Sequence, residues 1–539
     1  MFDVRYSLPP LSGTVFALMD EYDGFQHLLF QRWSDMSRVK KKVSIIAAIL
    51  CLFGVVLALL SRDGNRSALA QYKAELRAKG EKLSFAELAI PPSTNAEEVA
   101  SRQILATNPV PQSGVRLSLR MEFVGAGKAR PAWRGKLHWD PDYFGKSPVP
   151  APGDWATYNL TNAAFAGFLA KCKPALDHPA PDTGWIYKDN YPYFTNGPPR
   201  TFLRDRTLAQ ALVGEEIGEL HRGNLEGAIS DLHALTGMVR MNRNELTLVH
   251  HMIRIAVAGL ALDATWEALQ APGWDDQRLK SLQHDWEQVN LIDAVERGFL
   301  AERAYGAVLM DFVRKAKGRE FWGLFGAYKN NIGPIRTSDN FWGNFLRNEV
   351  IPSAYKLTSM NEDERIHVAY EVEAMSVLRL VKANRPWPEI QLASSNLIHH
   401  IDEKLKGDRF NRFILCEISI PNVSRALQSA VQAETKRRLA VTAIALKRYE
   451  LHCGKPPPNL LALTPEFLGE VPIDPMSGKP LCYRLNPDGT YVLYSVGEDG
   501  NDDGGKGGAS FWAGPDAVWP SAATPEEAAA AADNAALKK

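Results

Sequence analysis

Four carboxylates crowd a short glycine-rich segment near the end of the chain. Glu498, Asp499, Asp502 and Asp503 lie within six positions, directly after the apolar stretch Tyr491–Gly497. Like charges about 4 Å apart repel by roughly 1 kcal/mol per pair even in bulk water. A cation relieves this repulsion, and oxygen-rich ligand sets suit calcium. The segment therefore predicts a calcium site, and the alternative is a solvated acidic turn without metal.

The loop matches one calcium motif only in part. The six residues from Asp499 satisfy D-x-[DN]-x-[DN]-G, the opening half of an EF-hand loop, with Asn501 and Asp503 as further ligands. The twelfth position is Ser510 instead of the bidentate glutamate, and no helix-forming sequence precedes the loop. These differences exclude a true EF-hand.

A phosphate-binding loop is excluded at the same place. Gly500, Gly505 and Lys506 fit GxxxxGK, but Gly507 stands where a Ser or Thr is needed. The aspartates inside the loop would also repel phosphate. We therefore expect no bound nucleotide.

Several motifs surround the acidic loop in a fixed order. A helix-forming stretch is followed by a proline-marked loop, a P-x-D-P-x-x-G-x-P segment and an apolar strand; these are Leu439–Leu451, Gly454–Pro458, Pro472–Pro480 and Tyr491–Gly497. The order resembles the globular domain of the type II secretion major pseudopilin. The resemblance covers residues 434–520 and implies a small α+β fold with a calcium-binding loop.

The resemblance also implies which residues hold the ion. In that family backbone carbonyls and aspartates bind calcium, which points here to Asp499 and Asp503, with Asp516 as the acidic residue that closes the loop. Asn501 and Asp502 are weaker candidates. Pseudopilins continue their membrane helix directly into this domain, whereas here the only long apolar run ends about 370 residues earlier. The resemblance therefore implies a fold and calcium, and not assembly into a filament.

That apolar run predicts one transmembrane helix. Val43–Leu60 is an uncharged stretch of 18 residues, near the minimum length for a membrane span. Arg38 and Lys40 to Lys42 precede it, which places the N-terminus in the cytoplasm by the positive-inside rule. A buried core helix and a cleavable signal peptide are the alternatives. We expect a single-pass inner-membrane protein whose bulk lies in the periplasm.

The remaining chain divides into segments of different character. We expect a cytoplasmic segment over 1–42, the transmembrane helix over 43–60, a stalk with short β or loop structure over 61–153, a helical domain over 154–433, the pseudopilin-like α+β domain over 434–520 and a disordered or frayed tail over 521–539. Apolar residues recur at three- and four-residue spacing in the middle of the chain. The stretches with this period are Thr207–Leu220, Leu225–Met238, Glu245–Leu269, Gln277–Gln288, Val289–Lys317 and Glu362–Ala383. The predicted fold class is therefore mainly α, as a helical bundle or an irregular helical array.

Composition and motifs narrow the function without naming a reaction. The 62 basic and 62 acidic residues balance, which argues against general nucleic-acid binding. The chain carries no HExxH, GxSxG or GxGxxG motif in a usable context. The pairs His250–His251 and His399–Asp402 are weak metal candidates. Cys453 and Cys482 are either two thiols or a disulfide, and the sequence leaves both open.

These observations favour a membrane-anchored extracytoplasmic scaffold or interaction protein with a calcium-binding, pseudopilin-like C-terminal domain. Fold analogy links it to type II secretion or pilus-like machinery, with protein partners in the cell envelope. The whole chain resembles membrane-anchored bacterial envelope proteins that carry this module. The alternative is a cell-envelope hydrolase with a dispersed active site in the helical region, because catalytic groups need not be close in sequence.

Overall fold

The computed structural model describes residues 38–108, 121–137, 153–187, 202–324, 341–406 and 413–537. Residues 1–37 of the predicted cytoplasmic segment lie outside the described residues. The described chain is mainly helical, with a few short strands concentrated near its end. This confirms the mainly α class and a small strand-containing C-terminal region.

Helices follow one another from the first described residue to the last. In chain order they are α1 (Arg38–Ala78), α2 (Phe85–Leu88), α3 (Ala96–Thr107), α4 (Trp155–Asp177), α5 (Phe202–His221), α6 (Leu225–Arg240), α7 (Leu248–Leu269), α8 (Asp276–Glu287), α9 (Ile292–Lys315), α10 (Gly318–Leu324), α11 (Phe341–Phe345), a π-helical turn (Leu346–Val350), α12 (Ile351–Thr358), α13 (Met360–Lys382), α14 (Trp387–Leu405), α15 (Ile414–Cys453), a 3₁₀ turn (Leu460–Leu463) and α16 (Pro525–Leu537). The six helices predicted between residues 207 and 383 are all present, with ends shifted by a few residues.

Side-chain caps explain where these helices begin. Asn224 accepts a hydrogen bond from the backbone N–H of Gly227 at the start of α6. Helix α7 begins three residues later than its apolar pattern predicts, because Thr247 is its N-cap. The preceding Glu245 is used elsewhere and accepts the backbone N–H of Thr183 at 2.7 Å.

Two three-stranded sheets accompany the helices. In the first, β1 (Glu122–Gly125) pairs antiparallel with β2 (Lys128–Arg130), which pairs parallel with β6 (Ser521–Ala522). The second sheet is antiparallel and has the order β3 (Cys482–Leu485), β4 (Tyr491–Ser495), β5 (Ala517–Val518). Strand β6, at the start of the predicted tail, is therefore paired with a strand from the segment predicted to be part of the stalk.

The helical region and the C-terminal module share one hydrophobic core. A single cluster of buried side chains includes Leu212 and Trp266 from the helices and Leu493 and Trp519 from the module. Residue 434, the predicted start of the module, lies inside the unbroken helix α15. The indole N–H of Trp266 donates to the carbonyl of Pro520 at 2.8 Å. The module is therefore packed into the body of the protein.

Helix α1 changes character along its length. Its described apolar side chains between residues 45 and 60, among them Ile49, Phe53 and Leu60, are 42–64% exposed. Further along the same helix Leu69 and Leu76 are buried, and α1 packs there on α12 and α13. The part of the predicted stalk that follows residue 60 thus continues α1 and joins the helical body.

One helix of the described residues is long and apolar enough to cross a membrane by length and composition. It is α7, Leu248–Leu269, and 61% of its most apolar window is buried against the rest of the chain. A buried core helix of a water-soluble domain has the same length and composition. Its position in the middle of the chain differs from that of the predicted anchor.

Candidate functional site

The acidic loop connects β4 to β5 and depends on glycine conformations. Gly497, Gly500, Gly504 and Gly505 all have positive φ, between 71° and 82°. Residues other than glycine rarely adopt positive φ values. The glycines let the chain reverse direction repeatedly and carry the carboxylates on a compact turn.

Asp516 organises the loop from inside. It is fully buried, and its carboxylate accepts backbone N–H groups from Asp503 (3.3 Å), Gly505 (2.9 Å) and Lys506 (2.8 Å). Burial raises the pKa of Asp516, although these N–H groups favour the charged form. Asp516, which is predicted to close a calcium loop, thus holds the loop closed by accepting hydrogen bonds from its backbone N–H groups.

The other predicted ligands lie on the surface of the loop. Asp499, Asn501 and Asp503 are exposed, and Asp499 accepts the backbone N–H of Asn501 at 3.0 Å. Asp502 accepts the hydroxyl of Tyr494 at 2.8 Å. Within the described residues, no three His, Cys, Asp or Glu side chains form a group that could hold a metal. Asp516 holds the loop in its folded shape. Among the described residues, no three carboxylates of the loop converge on one point.

Close packing explains why the loop is so rich in glycine. A Cβ on Gly508 would lie 2.3 Å from the backbone nitrogen of Gly514, and one on Gly507 would lie 2.8 Å from the Cα of Gly127. Real Cβ atoms do not approach other atoms so closely. These glycines serve contacts between backbone segments, and one of them, Gly507, occupies the position where a phosphate loop needs Ser or Thr.

A second buried carboxylate, Asp474, belongs to the P-x-D-P segment. It accepts the hydroxyl of Ser495 at 2.7 Å and the backbone N–H groups of Met476 and Val496 at 3.0 and 3.1 Å. Burial raises its pKa. Asp474 was not among the predicted site residues, although the P-x-D-P-x-x-G-x-P motif that contains it was recognised in the sequence. It ties the proline-rich segment to the end of β4.

The module also makes direct contacts with the helical body beside this loop. Gly478, with φ +69°, lies so close to α13–α14 that a Cβ would be 2.3 Å from the carbonyl oxygen of Asn384. The backbone N–H of Trp387 donates to the carbonyl of Met476 at 2.9 Å. Glu498 faces α15 and accepts the side-chain amide of Gln428 at 2.8 Å. One of the four acidic residues therefore serves docking.

A separate cleft between α4, α6 and α8 brings together a serine, a histidine and an aspartate. Its volume is about 670 Å³. His233 Nδ1 lies 2.7 Å from Asp285 Oδ2, and Ser281 Oγ lies 3.2 Å from His233 Nε2. Thr236 donates to the same aspartate at 2.8 Å. This is the connectivity of a nucleophile, a general base and an orienting carboxylate.

The surroundings of this triad meet only part of what hydrolysis needs. Burial opposes ionisation of Asp285, but its bonds from His233 and Thr236 and the charge of Arg240 hold its pKa below the usual range. The Ser281 hydroxyl donates to the carbonyl of Arg278 at 2.9 Å. Because Ser281 lies inside α8, helix geometry commits its own N–H to an earlier carbonyl. Stabilisation of an oxyanion would depend on side-chain cations that line the cleft.

The sequence signals for this cleft are weak. Ser281 and Asp285 are four residues apart on one helix, but His233 lies on α6 and no local motif joins it to them. The histidines that the sequence singled out lie elsewhere. His251 is buried and contacts the carbonyl of Glu245 at 2.7 Å, while His399 and Asp402 are exposed on α14. Cys453 and Cys482 are both free thiols.

Comparison of the chain with protein-family models, with curated proteins and with solved structures gives no match.

Proposed function

We propose that this protein is a membrane-anchored extracytoplasmic scaffold, held in the inner membrane by the first half of α1. The observation that supports it is the exposed apolar surface of α1. Its described side chains from Ile45 to Leu60 contact no protein core, although they are as apolar as core residues. A water-exposed helix of this composition is unfavourable, since roughly 25 cal/mol is lost per Å² of apolar surface left in water. A bilayer removes that cost.

The length of α1 suits this role. Val43–Leu60 spans about 27 Å as a helix, close to the roughly 30 Å of bilayer hydrocarbon. The buried residue Leu69 follows only about 14 Å beyond Leu60 at the helical rise. The anchor therefore holds the body close to the membrane surface. The basic residues before the span orient the body toward the periplasm.

The scaffold role rests on the shared core and on the docked module. A domain packed into the body cannot leave it to enter a filament as a separate subunit, so we expect the module to present a fixed surface to envelope proteins. The partners that we propose are components of a secretion or pilus-like machine. Crosslinking of the full chain in intact cells, followed by identification of the linked proteins, tests this; recovery of cytosolic proteins alone would refute it.

Topology is the first point to test. A periplasm-dependent reporter fused after Lys539 should be active, and the same reporter fused before Met1 should be inactive. Activity of a cytosol-dependent reporter at the C-terminus would overturn the proposed compartment and the envelope role together.

We also propose that the acidic loop binds calcium. The exposed oxygens of Asp499, Asn501 and Asp503 are hard donors of the kind that calcium prefers, and Asp516 shapes the backbone beneath them. Isothermal calorimetry on the full chain in detergent should show calcium binding that Asp499→Asn with Asp503→Asn abolishes. The matched control is Asp488→Asn, an exposed aspartate in the β3–β4 turn. No heat and no thermal shift with millimolar calcium would refute the proposal.

A hydrolase is the second candidate function, and the Ser281–His233–Asp285 geometry is the observation that favours it. A fluorophosphonate probe tests it, because such probes label an activated serine. Labelling that disappears in Ser281→Ala but persists in Ser230→Ala, a serine of the same cleft, would establish a nucleophile. Absence of labelling in the wild-type chain would remove this candidate and leave the scaffold.

A further inference from the structure

A basic cleft lies where α1 meets the helical body. It has a volume of about 680 Å³ and is formed by α1, the end of α9, α12 and the start of α13. Five cationic side chains line it, and they are Arg62, Arg66, Lys73, Arg314 and Lys356. One carboxylate, Asp311, lines it as well. The chain as a whole has no net charge, so this concentration of one sign is local.

The cations of the cleft exceed the carboxylates that they contact. Lys73 and Arg314 both form ion pairs with Glu364, which is buried behind the cleft, and Arg314 also contacts Asp311 at 2.5 Å. Lys356 donates to backbone carbonyls at the end of α9, including that of Arg314 at 3.4 Å. Carbonyl groups orient an ammonium but do not neutralise it.

The two arginines on α1 are the least compensated. Arg62 and Arg66 are four residues apart and so face the same side of the helix. Both are exposed, and neither forms an ion pair with a described residue. Five cations against Asp311 and Glu364 leave an excess of about three positive charges, by formal charge at neutral pH. Such a site is complementary to a multivalent or bidentate anion.

The position of the cleft indicates the source of that anion. Arg62 and Arg66 follow the apolar stretch of α1, which ends at Leu60, by about 3 and 9 Å at the helical rise. This distance corresponds to the headgroup layer beyond the hydrocarbon of a bilayer. Arginine forks and lysine ammonium groups are the side chains that bind phosphate oxygens best.

We propose that this cleft binds a phosphate group, supplied by the headgroup of an anionic phospholipid. The lipid source rests on the proposed membrane anchor, whereas the phosphate chemistry does not. Occupation of the cleft would fix α1 against α12 and α13 and hold the body at the membrane surface. The volume suits a glycerophosphate headgroup, since small-molecule sites span roughly 300–1,000 Å³.

The test uses the full chain in neutral detergent at constant ionic strength. Short-chain phosphatidylglycerol, short-chain phosphatidylcholine and inorganic phosphate are titrated separately, and the thermal midpoint is followed. We expect phosphatidylglycerol to raise the midpoint and phosphatidylcholine to have little effect. Arg62→Gln combined with Arg66→Gln should weaken the response at least tenfold in ligand concentration.

The matched control removes two charges outside the cleft, as Lys79→Gln with Lys82→Gln, and should respond like the wild type. If inorganic phosphate acts as strongly as the lipid, the phosphate site stands and its source is a free phosphate. If no phosphate compound shifts the midpoint, or if both double variants lose the response equally, the proposal is wrong. The titration with inorganic phosphate needs no membrane. It therefore tests the phosphate site independently of the reporter fusions that test the membrane anchor.

Discussion

Replacement of Gly478 by alanine tests whether the C-terminal module is docked on the helical body. Gly478 has φ +69°, and an added Cβ would meet the carbonyl oxygen of Asn384 at 2.3 Å. That oxygen belongs to the connection between α13 and α14. The substitution therefore carries two penalties, one from the local backbone and one from the interface.

The backbone penalty is a single cost, whereas the interface penalty has two parts, the overlap and a stretched hydrogen bond. An alanine in the left-handed region costs about 1–2 kcal/mol. Relief of the overlap requires the two segments to separate, at an overpacking cost of about 1–3 kcal/mol. Separation also stretches the 2.9 Å bond from the N–H of Trp387 to Met476, worth about 1 kcal/mol. We expect a total loss of about 3–6 kcal/mol.

Gly489 provides the matched control. It has φ +83° in the β3–β4 turn, and an added Cβ would have no atom within 4 Å. Gly489→Ala should therefore lose only the backbone part. Urea unfolding of the full chain in detergent, followed by circular dichroism, should place Gly478→Ala about 2–4 kcal/mol below Gly489→Ala. Equal destabilisation of the two variants would mean that the contact with Asn384 does not exist in solution.

Three further changes have expected outcomes. Asp516→Ala leaves three loop N–H groups without their acceptor and should destabilise the chain by about 3 kcal/mol in calcium-free buffer. Glu371 is buried with neither carboxylate oxygen hydrogen-bonded, and burial raises its pKa well above 4.5. The folded state therefore keeps a proton on Glu371 that the unfolded chain releases above about pH 4.5. The free energy of unfolding of the wild type then falls by about 1.4 kcal/mol per pH unit, whereas that of Glu371→Gln does not carry this loss. In urea unfolding, the stability of Glu371→Gln relative to the wild type should therefore rise between about pH 5 and 7. Gly306→Ala would place a Cβ 2.2 Å from Nε2 of His367 and should lower the thermal midpoint, since overpacking of about 1–3 kcal/mol exceeds the gain in helix propensity.

Each of these has a control at a comparable position. Asp503→Ala removes an exposed carboxylate of the same loop and should change stability little, so equal effects would contradict the role of Asp516. Glu373→Gln, exposed on the same helix as Glu371, should leave the pH dependence unchanged. Gly259→Ala meets no atom within 4 Å inside α7 and should stabilise slightly. Stabilisation by both glycine substitutions would show that α9 and α13 are not in close contact.

Local patterns predicted the helices well because the forces that form them are local. The period of apolar residues places α6 and α8 within a few residues of their observed ends, and the structure shows Asn224 and Asp275 as their N-caps. Strands β1 and β2 lie in the segment 61–153, where short β or loop structure is expected. Sequence alone thus supplied the mainly α class and the positions of the six helices between residues 207 and 383.

Long-range contacts escaped prediction because no local signal records them. Gly478 belongs to the P-x-D-P-x-x-G-x-P motif, but its contact with Asn384 joins segments more than 90 residues apart. His233 acquires Asp285 and Ser281 as neighbours only when α6 packs on α8. Asp516 was placed in the loop by resemblance, whereas its inward orientation depends on burial of the β5 region. The predicted calcium site and the anchor remain predictions with the tests given above.

The continuity of α1 has a geometric consequence. With its apolar half in a bilayer, the azimuth of the whole body depends on how many residues separate Leu60 from Leu69. One inserted residue would swing the body by about 100° about the helix axis, while seven would restore its heading to within about 20° and lift it by about 10 Å. In such a membrane the number of residues in this segment would select which flank of the body faces its neighbours.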